Sequence, residues 1–224
     1  MKNIALILAS GIGTRCKLGY PKQFAEINGK TILEYTVEKF QNCSLIDYIY
    51  IVTNSEYISQ TEERMKSYSK VKKIVAGGET RKESSYNGVF SIGENECNLL
   101  IHDGARPLVT EDIIKNCIKS LSENDAVCTT INSTDTIFVT DDEGYITTIP
   151  VRATLKRAQT PQCFKLSLIK KAHTLAKEDK NCKVTDDCGL IYQYQLSKIK
   201  TIQGDDLNIK ITTPQDIEIL KNHL

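Results

Sequence analysis

Cations beside glycine-rich turns recur along this chain, and that combination suits phosphate. The first case is Ala9-Ser10-Gly11-Ile12-Gly13-Thr14-Arg15, with Pro21-Lys22-Gln23 downstream. Glycines let backbone N–H groups approach phosphate oxygens closely, and Arg15 and Lys22 add fixed positive charge beside them. His102-Asp103-Gly104-Ala105-Arg106-Pro107 supplies a carboxylate that can hold Mg²⁺ between phosphates and a guanidinium able to clamp a second phosphate bidentately. The same two side chains are equally suited to a plain salt bridge between Asp103 and Arg106. Lys210, between Ile209 and Ile211, is either a cation delivered to the same pocket from the far end of the chain or an edge lysine that discourages aggregation. Thr185-Asp186-Asp187 reads as a helix start, a polar substrate contact, or both.

Two common phosphate fingerprints are excluded. GxGxxG fails because Cys16 stands at the third glycine position, and the P-loop fails because Phe24 stands where the first glycine of a sequence ending Gly29-Lys30-Thr31 should be. A lone GxG after a strand is an ordinary βα turn; the added Arg and Pro-Lys-Gln shift the reading toward a nucleotide-phosphate site.

Such residues act together only if the fold gathers them. Residues 4–9 form a continuous apolar run that stops at glycine, the pattern of a strand buried on both faces. Residues 48–52, 73–76, 99–101 and 127–131 read as further strands, and residues 208–212 as another. Helices are expected after Thr31, whose Thr31-Ile32-Leu33-Glu34 is a capping box, around residues 81–91, after Thr110, over 167–177, and after Thr213, where Pro214 takes the first helical position. Strands alternating with amphipathic helices predict an α/β fold, a Rossmann-like, mostly parallel sheet sandwiched by helices. The glycine-rich and charged segments at 10–15, 77–81 and 102–107 then fall beyond the carboxyl ends of strands, where ligands of such sheets bind. Residues 134–158 read as a β-hairpin around Asp142-Glu143-Gly144. An isolated hairpin is marginal in water, so a partner surface such as a second subunit is expected for it.

Composition narrows the function classes. The 224 residues carry 29 Lys+Arg and 28 Asp+Glu, a net charge of +1, which argues against a general nucleic-acid binder. The eight cysteines include no CxxC pair, and with only three histidines no zinc-finger spacing occurs. They read as buried thiols of a reduced compartment. The start MKNIALILAS reaches glycine too soon for a signal peptide, and no apolar run is long enough to span a membrane. The expectation is a cytoplasmic protein of one domain over residues 1–224, binding neither nucleic acid nor membrane.

Seven segments in order carry a resemblance: residues 9–15, Pro21-Lys22-Gln23, Gly77-Gly78-Glu79-Thr80-Arg81, residues 102–107, Gln159-Thr160-Pro161-Gln162, Thr185-Asp186-Asp187 and residues 208–212. Together they resemble the polyol-phosphate cytidylyltransferases, a family that includes the ribitol-5-phosphate and 2-C-methyl-D-erythritol 4-phosphate enzymes. The resemblance covers nearly the whole chain. It implies that a polyol phosphate attacks the α-phosphorus of CTP to give a CDP-polyol and pyrophosphate. It implies Arg15, Lys22 and Lys210 as catalytic cations and Asp103 as the Mg²⁺ ligand. CTP is expected to meet Ala9, Ser10, Gly11, Gly13, Gly78, Glu79, Arg81 and Ser84. The polyol phosphate is expected to meet Asp103, Gly104, Arg106, Thr134, Asp135, Thr160 and Thr185. The hairpin within 134–158 resembles the family's dimerisation arm, which implies a homodimer.

The polyol is read from the arm. Methylerythritol enzymes usually carry a basic residue before the Asp-Thr that starts it, whereas here neutral Thr134 precedes Asp135-Thr136. Losing a cation opposite a phosphate removes a charge-assisted contact. The segment Ile149-Pro150-Val151-Arg152 also looks more like the ribitol branch. The expectation is therefore D-ribitol 5-phosphate, with 2-C-methyl-D-erythritol 4-phosphate as the alternative; Lys156 or Arg157 could replace the missing cation. A sugar-1-phosphate nucleotidyltransferase and a non-catalytic nucleotide-binding module are the remaining readings.

Overall fold

A computed structural model describes residues 1–12 and 19–224. In chain order the elements are β1 (Asn3–Ala9), a 3₁₀ turn (Lys22–Phe24), β2 (Glu26–Ile27), β3 (Lys30–Thr31), α1 (Ile32–Asn42), β4 (Tyr48–Thr53), α2 (Ile58–Met65), β5 (Val71–Ala76), α3 (Arg81–Phe90), β6 (Asn98–Asp103), α4 (Glu111–Ser120), β7 (Ala126–Asn132), β8 (Val139–Thr140), β9 (Ile146–Thr148), β10 (Lys156–Lys165), α5 (Leu166–Glu178), α6 (Asp187–Gln193), β11 (Ile199–Gln203) and α7 (Pro214–Lys221).

Seven strands form one sheet in the order β11-β7-β10-β6-β1-β4-β5. All neighbours are parallel except those of β10, which runs antiparallel to both β6 and β7. The fold is thus the expected Rossmann-like α/β sandwich. Strand periodicity builds its two layers. Ile4, Leu6 and Leu8 of β1 pack with Val89 of α3, Ile169 of α5 and Leu190 of α6. Ala5, Ile7 and Ala9 face the other way, toward Val37 and Phe40 of α1, Met65 of α2 and Ile114 of α4. A third, smaller cluster joins Ala25, Ile27, Ile32, Ala105, Ile211 and Leu220, and fastens α7 beside the carboxyl ends of the strands.

Two readings of the sequence are corrected. Residues 208–212 are not a strand: the segment is pinned to the body by Ile211 N–H donating to Ala105 O (2.8 Å) and by Ile211 in the small core, and the alternation of apolar residues reflects that anchoring. The strand on that side of β7 is β11, and β10 is a ten-residue strand the apolar pattern did not indicate. Because Asn132 of β7 pairs with Lys156 of β10, the intervening residues are the enlarged loop of an antiparallel pair. The hairpin β8–β9 stands at its tip with Phe138, Ile146, Ile149 and Val151 exposed.

Among the described residues six cysteines are buried and Cys182 is half-buried, all as free thiols. No helix among them is long and apolar enough to cross a membrane.

Candidate functional site

From β1 the chain passes to β4 on one side, while β6 pairs with β1 on the other. Strand order reverses there, and the crevice beyond the carboxyl ends of β1 and β6 is where such sheets take ligands. A cavity of about 380 Å³ opens at that point. Ala9, Ser10 and Gly11 line it from the end of β1, Lys22 from the 3₁₀ turn, Gly78, Glu79, Arg81 and Ser84 from the start of α3, Asp103 from the end of β6, and Lys210 from the segment before α7. Gly13 and Arg15 lie outside the described residues.

Local chemistry explains each placement. The Gln23 amide donates to the carbonyls of Ala9 and of Gly11, the latter at 2.9 Å, and so fixes the chain as it leaves β1. Neighbouring Phe24 enters the core and stacks on Tyr57 with ring centroids 4.7 Å apart. Lys22, on the same short turn, is thereby held at the cleft, and its side chain is largely buried. Opposite, Ser10 Oγ donates to Ser84 Oγ (2.7 Å), which also accepts Gly78 N–H (3.1 Å). The two backbones meet so closely that a Cβ at Gly77 would lie 2.5 Å from the Ser10 Cβ, so glycine is required there. Thr80 caps α3 in a capping box with Glu83, and the open end of the helix contributes a partial positive charge to the cleft.

Asp103 is the electrostatic centre. Its Oδ2 accepts from Arg106 Nε (3.1 Å) and lies 3.1 Å from Lys210 Nζ. Burial opposes ionisation of this carboxyl, but Lys210, Arg106 and Arg81 outweigh it and hold Asp103 well below the usual carboxylate range. The salt bridge and the ligand-site readings of Asp103 and Arg106 are therefore compatible: one carboxylate gathers the cations around the cleft. Arg106 also donates through Nη1 to Asn208 O (2.7 Å), so the His102–Pro107 loop and the Lys210 segment are tied together.

Thr160 supports this centre from behind. The β7–β10 register shifts between Ala158 and Gln162, and this bulge aims Thr160 at β6. Its hydroxyl oxygen accepts Asp103 N–H (3.1 Å) and lies 3.0 Å from His102 Nδ1. His102 Nε2 is 3.1 Å from Arg106 O, which can only accept, so Nε2 carries the proton and Nδ1 accepts from Thr160. Gln162 tethers α6: its Nε2 donates to Asp186 (2.7 Å) and its Oε1 accepts Asp187 and Cys188 N–H, both at 3.1 Å.

His102 is fully buried, and burial lowers its pKa from 6.5 to about 4. In the unfolded chain it binds a proton near 6.5, so the unfolded state gains as pH falls from about 6.5 to about 4, and the loss levels off below that. The expected result is that unfolding free energy drops by about 3 kcal/mol over that window. Denaturant titrations at a series of pH values check this: His102→Gln should remove most of the drop in this window, and an unchanged drop would refute the assignment. Asp103 and Asp187 titrate below the ordinary carboxylate range and contribute only at more acid pH.

Not every expected residue reaches the cleft. Gly104 is buried behind β1, where its N–H donates to Leu8 O (2.8 Å). Thr185 is exposed ahead of α6, and Thr134 and Asp135 stand at the exposed root of the hairpin arm, away from this chain's own cleft. Ser85 and His173, which no motif singles out, lie in a buried cluster with Asp187 directly behind Arg81.

A family model described as 2-C-methyl-D-erythritol 4-phosphate cytidylyltransferase matches residues 3–224. The chain is 42% identical over 225 residues to the 2-C-methyl-D-erythritol 4-phosphate cytidylyltransferase of Clostridium perfringens, covering 99% of this chain and 98% of that one. It is similar to the crystal structure of 4-diphosphocytidyl-2C-methyl-D-erythritol synthase from Anaerococcus prevotii, with a TM-score of 0.89, 30% identity and coverage of 99% of this chain and 95% of that one. It is also similar to the 2-C-methyl-D-erythritol 4-phosphate cytidylyltransferase of Francisella tularensis, with a TM-score of 0.84, 28% identity and full coverage of both chains (100% each).

These matches overturn D-ribitol 5-phosphate as the expected polyol and favour the methylerythritol alternative. The physical reason lies in the arm. The ribitol reading rests on neutral Thr134 and on the segment Ile149-Pro150-Val151-Arg152, yet Arg152 of that segment donates through Nη1 to Thr134 O at 3.3 Å, which places a guanidinium at the arm root. Lys156 and Arg157 are engaged elsewhere, with Asn132 and with Asp206.

Proposed function

The chain belongs to the 2-C-methyl-D-erythritol 4-phosphate cytidylyltransferase family of nucleotidyltransferases, and from that membership we propose that it transfers the cytidylyl group of CTP to 2-C-methyl-D-erythritol 4-phosphate and releases pyrophosphate. The observation that carries the reading is the convergence of Lys22, Arg81 and Lys210 around Asp103 in one cleft at the switch point of the sheet.

An oxygen of the methylerythritol phosphate forms a bond to the α-phosphorus as the bond from that phosphorus to the pyrophosphate oxygen breaks. Negative charge grows on the phosphoryl oxygens and on the leaving group. Such a displacement needs alignment and fixed positive charge more than covalent help. Lys22 and Arg15 bind the CTP phosphates and stabilise the transition state, Arg81 holds the nucleotide from the start of α3, and Lys210 adds charge at the α-phosphate. Ser84 and the backbone of Ala9, Ser10, Gly78 and Glu79 meet the cytosine. Arg106 faces the incoming polyol phosphate.

Mg²⁺ fits this cleft. Among the described residues no three His, Cys, Asp or Glu side chains cluster as a protein cage, while Asp103 is an ionised carboxylate at the cleft wall. One carboxylate plus substrate phosphates is the usual Mg²⁺ arrangement. Bound there, the ion would neutralise charge between phosphate groups.

The arm supports a homodimer. Phe138, Ile146, Ile149 and Val151 are all more than half exposed, at 51%, 54%, 61% and 69%, and a second copy would cover them. Thr134 and Asp135 then belong to the neighbouring subunit's polyol-phosphate site. Buried free thiols support a cytoplasmic enzyme.

One preparation tests the reading. Pyrophosphate release with CTP and Mg²⁺ is expected with 2-C-methyl-D-erythritol 4-phosphate and little with ribitol 5-phosphate or glycerol 3-phosphate, and sedimentation is expected to give twice the mass of one chain. Preference for either other polyol, or no turnover in folded protein, overturns the substrate; a monomer at assay concentration overturns the dimer.

A further inference from the structure

Arg81 opens α3 and lines the cleft, and behind it lies a set of buried polar side chains from three helices. Arg81 Nη1 is 2.9 Å from Asp187 Oδ2, at the first residue of α6. The other oxygen, Oδ1, accepts from Ser85 Oγ at 2.6 Å and lies 3.2 Å from His173 Nε2 on α5. The Asp187 and His173 side chains are each 1% exposed. Ser85 is one turn beyond Arg81, so both project from the same face of α3. His173 reaches no part of the cleft; it lines a separate cavity on the far side, with Tyr86 and Lys177. An ionised carboxylate only accepts, so His173 carries its proton on Nε2. The Asp187 backbone is held as well, by Gln162.

We propose that Ser85, His173 and Asp187 are positioning residues: they lock one carboxylate so that it aims the Arg81 guanidinium at the phosphates of the bound nucleotide. An arginine side chain has many rotamers, and a carboxylate fixed by donors on its other oxygen narrows that choice. These donors satisfy the oxygen of the buried carboxylate that Arg81 does not meet, and in doing so they fix its orientation. The inference rests on the nucleotide reading given above and extends it to residues outside the cleft.

The test compares His173→Leu with His173→Gln, whose amide N–H can replace the imidazole donor. His173→Leu is expected to raise KM for CTP about tenfold, the scale of one lost hydrogen bond to a charged group, with kcat and KM for the polyol phosphate within about twofold, the pattern of lost uniform binding. His173→Gln is expected to restore most of it. In an Arg81→Gln background, His173→Leu is expected to add nothing to KM for CTP, because both changes act on one contact. An unchanged KM in His173→Leu overturns the proposal and leaves a structural role, which would move the melting temperature alone; an effect on KM that simply adds to that of Arg81→Gln overturns it as well. Calorimetric CTP affinity separates the two levels of the reading. Wild type that binds CTP but turns over no polyol phosphate overturns the substrate, and weakened CTP binding in His173→Leu still supports the relay. Wild type that binds no CTP overturns both.

Discussion

Lys22→Ala is expected to lower kcat by about 10²–10³-fold, the cost of removing one preorganised positive donor from a site where negative charge develops. The chain is expected to stay folded, with a melting temperature lowered by no more than about 5 °C. The division of labour on the 3₁₀ turn is the reason. Gln23 fixes the exit of β1 and Phe24 enters the core, so the neighbours of Lys22 supply the anchoring while Lys22 itself faces the cleft. A cation whose role is the transition state lowers kcat and kcat/KM together. Steady-state kinetics with varied CTP check this: a variant with wild-type kcat and a raised KM would make Lys22 a ground-state contact, and unchanged kinetics would remove it from the mechanism. Lys22→Arg, which retains charge but moves its centre, is expected to fall between the two.

What could be read from the residues, and what could not, follows from how each part is held. β1 and β6 announce themselves because both faces of each strand are buried, and an apolar run is what that demands. β10 does not. It reads KRAQTPQCFK, and Gln159, Thr160 and Gln162 are buried polar residues whose hydrogen bonds tie Asn208, Asp103 and α6 into the site. A strand that serves as a polar bracket carries no apolar alternation to detect. The segment around Lys210 misleads in the opposite sense, since Ile209 and Ile211 alternate as a strand would but serve a small core beside α7.

Residue types in the site were legible, and pairings were not. Asp103 and Lys210 are far apart in the chain, and nothing local reveals that they meet at 3.1 Å. Thr134 shows the same limit more sharply. As a letter it reads as a missing cation, yet Arg152 arrives beside it once the arm folds, and a single position does not show which charges stand at the arm root. Ser85 and His173 leave no motif at all, because their contacts are with a third residue on another helix.

Asp103→Asn is the second large effect. The carboxylate sits with Lys210, Arg106 and Arg81 around it, and its removal leaves Lys210 and Arg106 without their counter-charge, while Arg81 keeps Asp187. Breaking a buried ion pair from one side costs about 3–5 kcal/mol. The Lys210 side chain is 37% exposed, and solvent screens its share, so a loss of about 2–3 kcal/mol of folding stability is expected. Turnover is expected to fall at least about 10²-fold, because both the arrangement of cations and the proposed Mg²⁺ ligand are lost. Adding Lys210→Met separates these contributions. It relieves the repulsion, so the double variant is expected to regain about 1 kcal/mol of stability while turnover falls further, since in the proposed mechanism Lys210 also supplies charge at the α-phosphate. Denaturant unfolding and Mg²⁺-dependent pyrophosphate release, measured on wild type and the three variants, decide the matter. If stability and activity recovered together, Asp103 would be holding the fold alone; if Asp103→Asn kept the Mg²⁺ dependence of wild type, the ion would be held by the substrates without it.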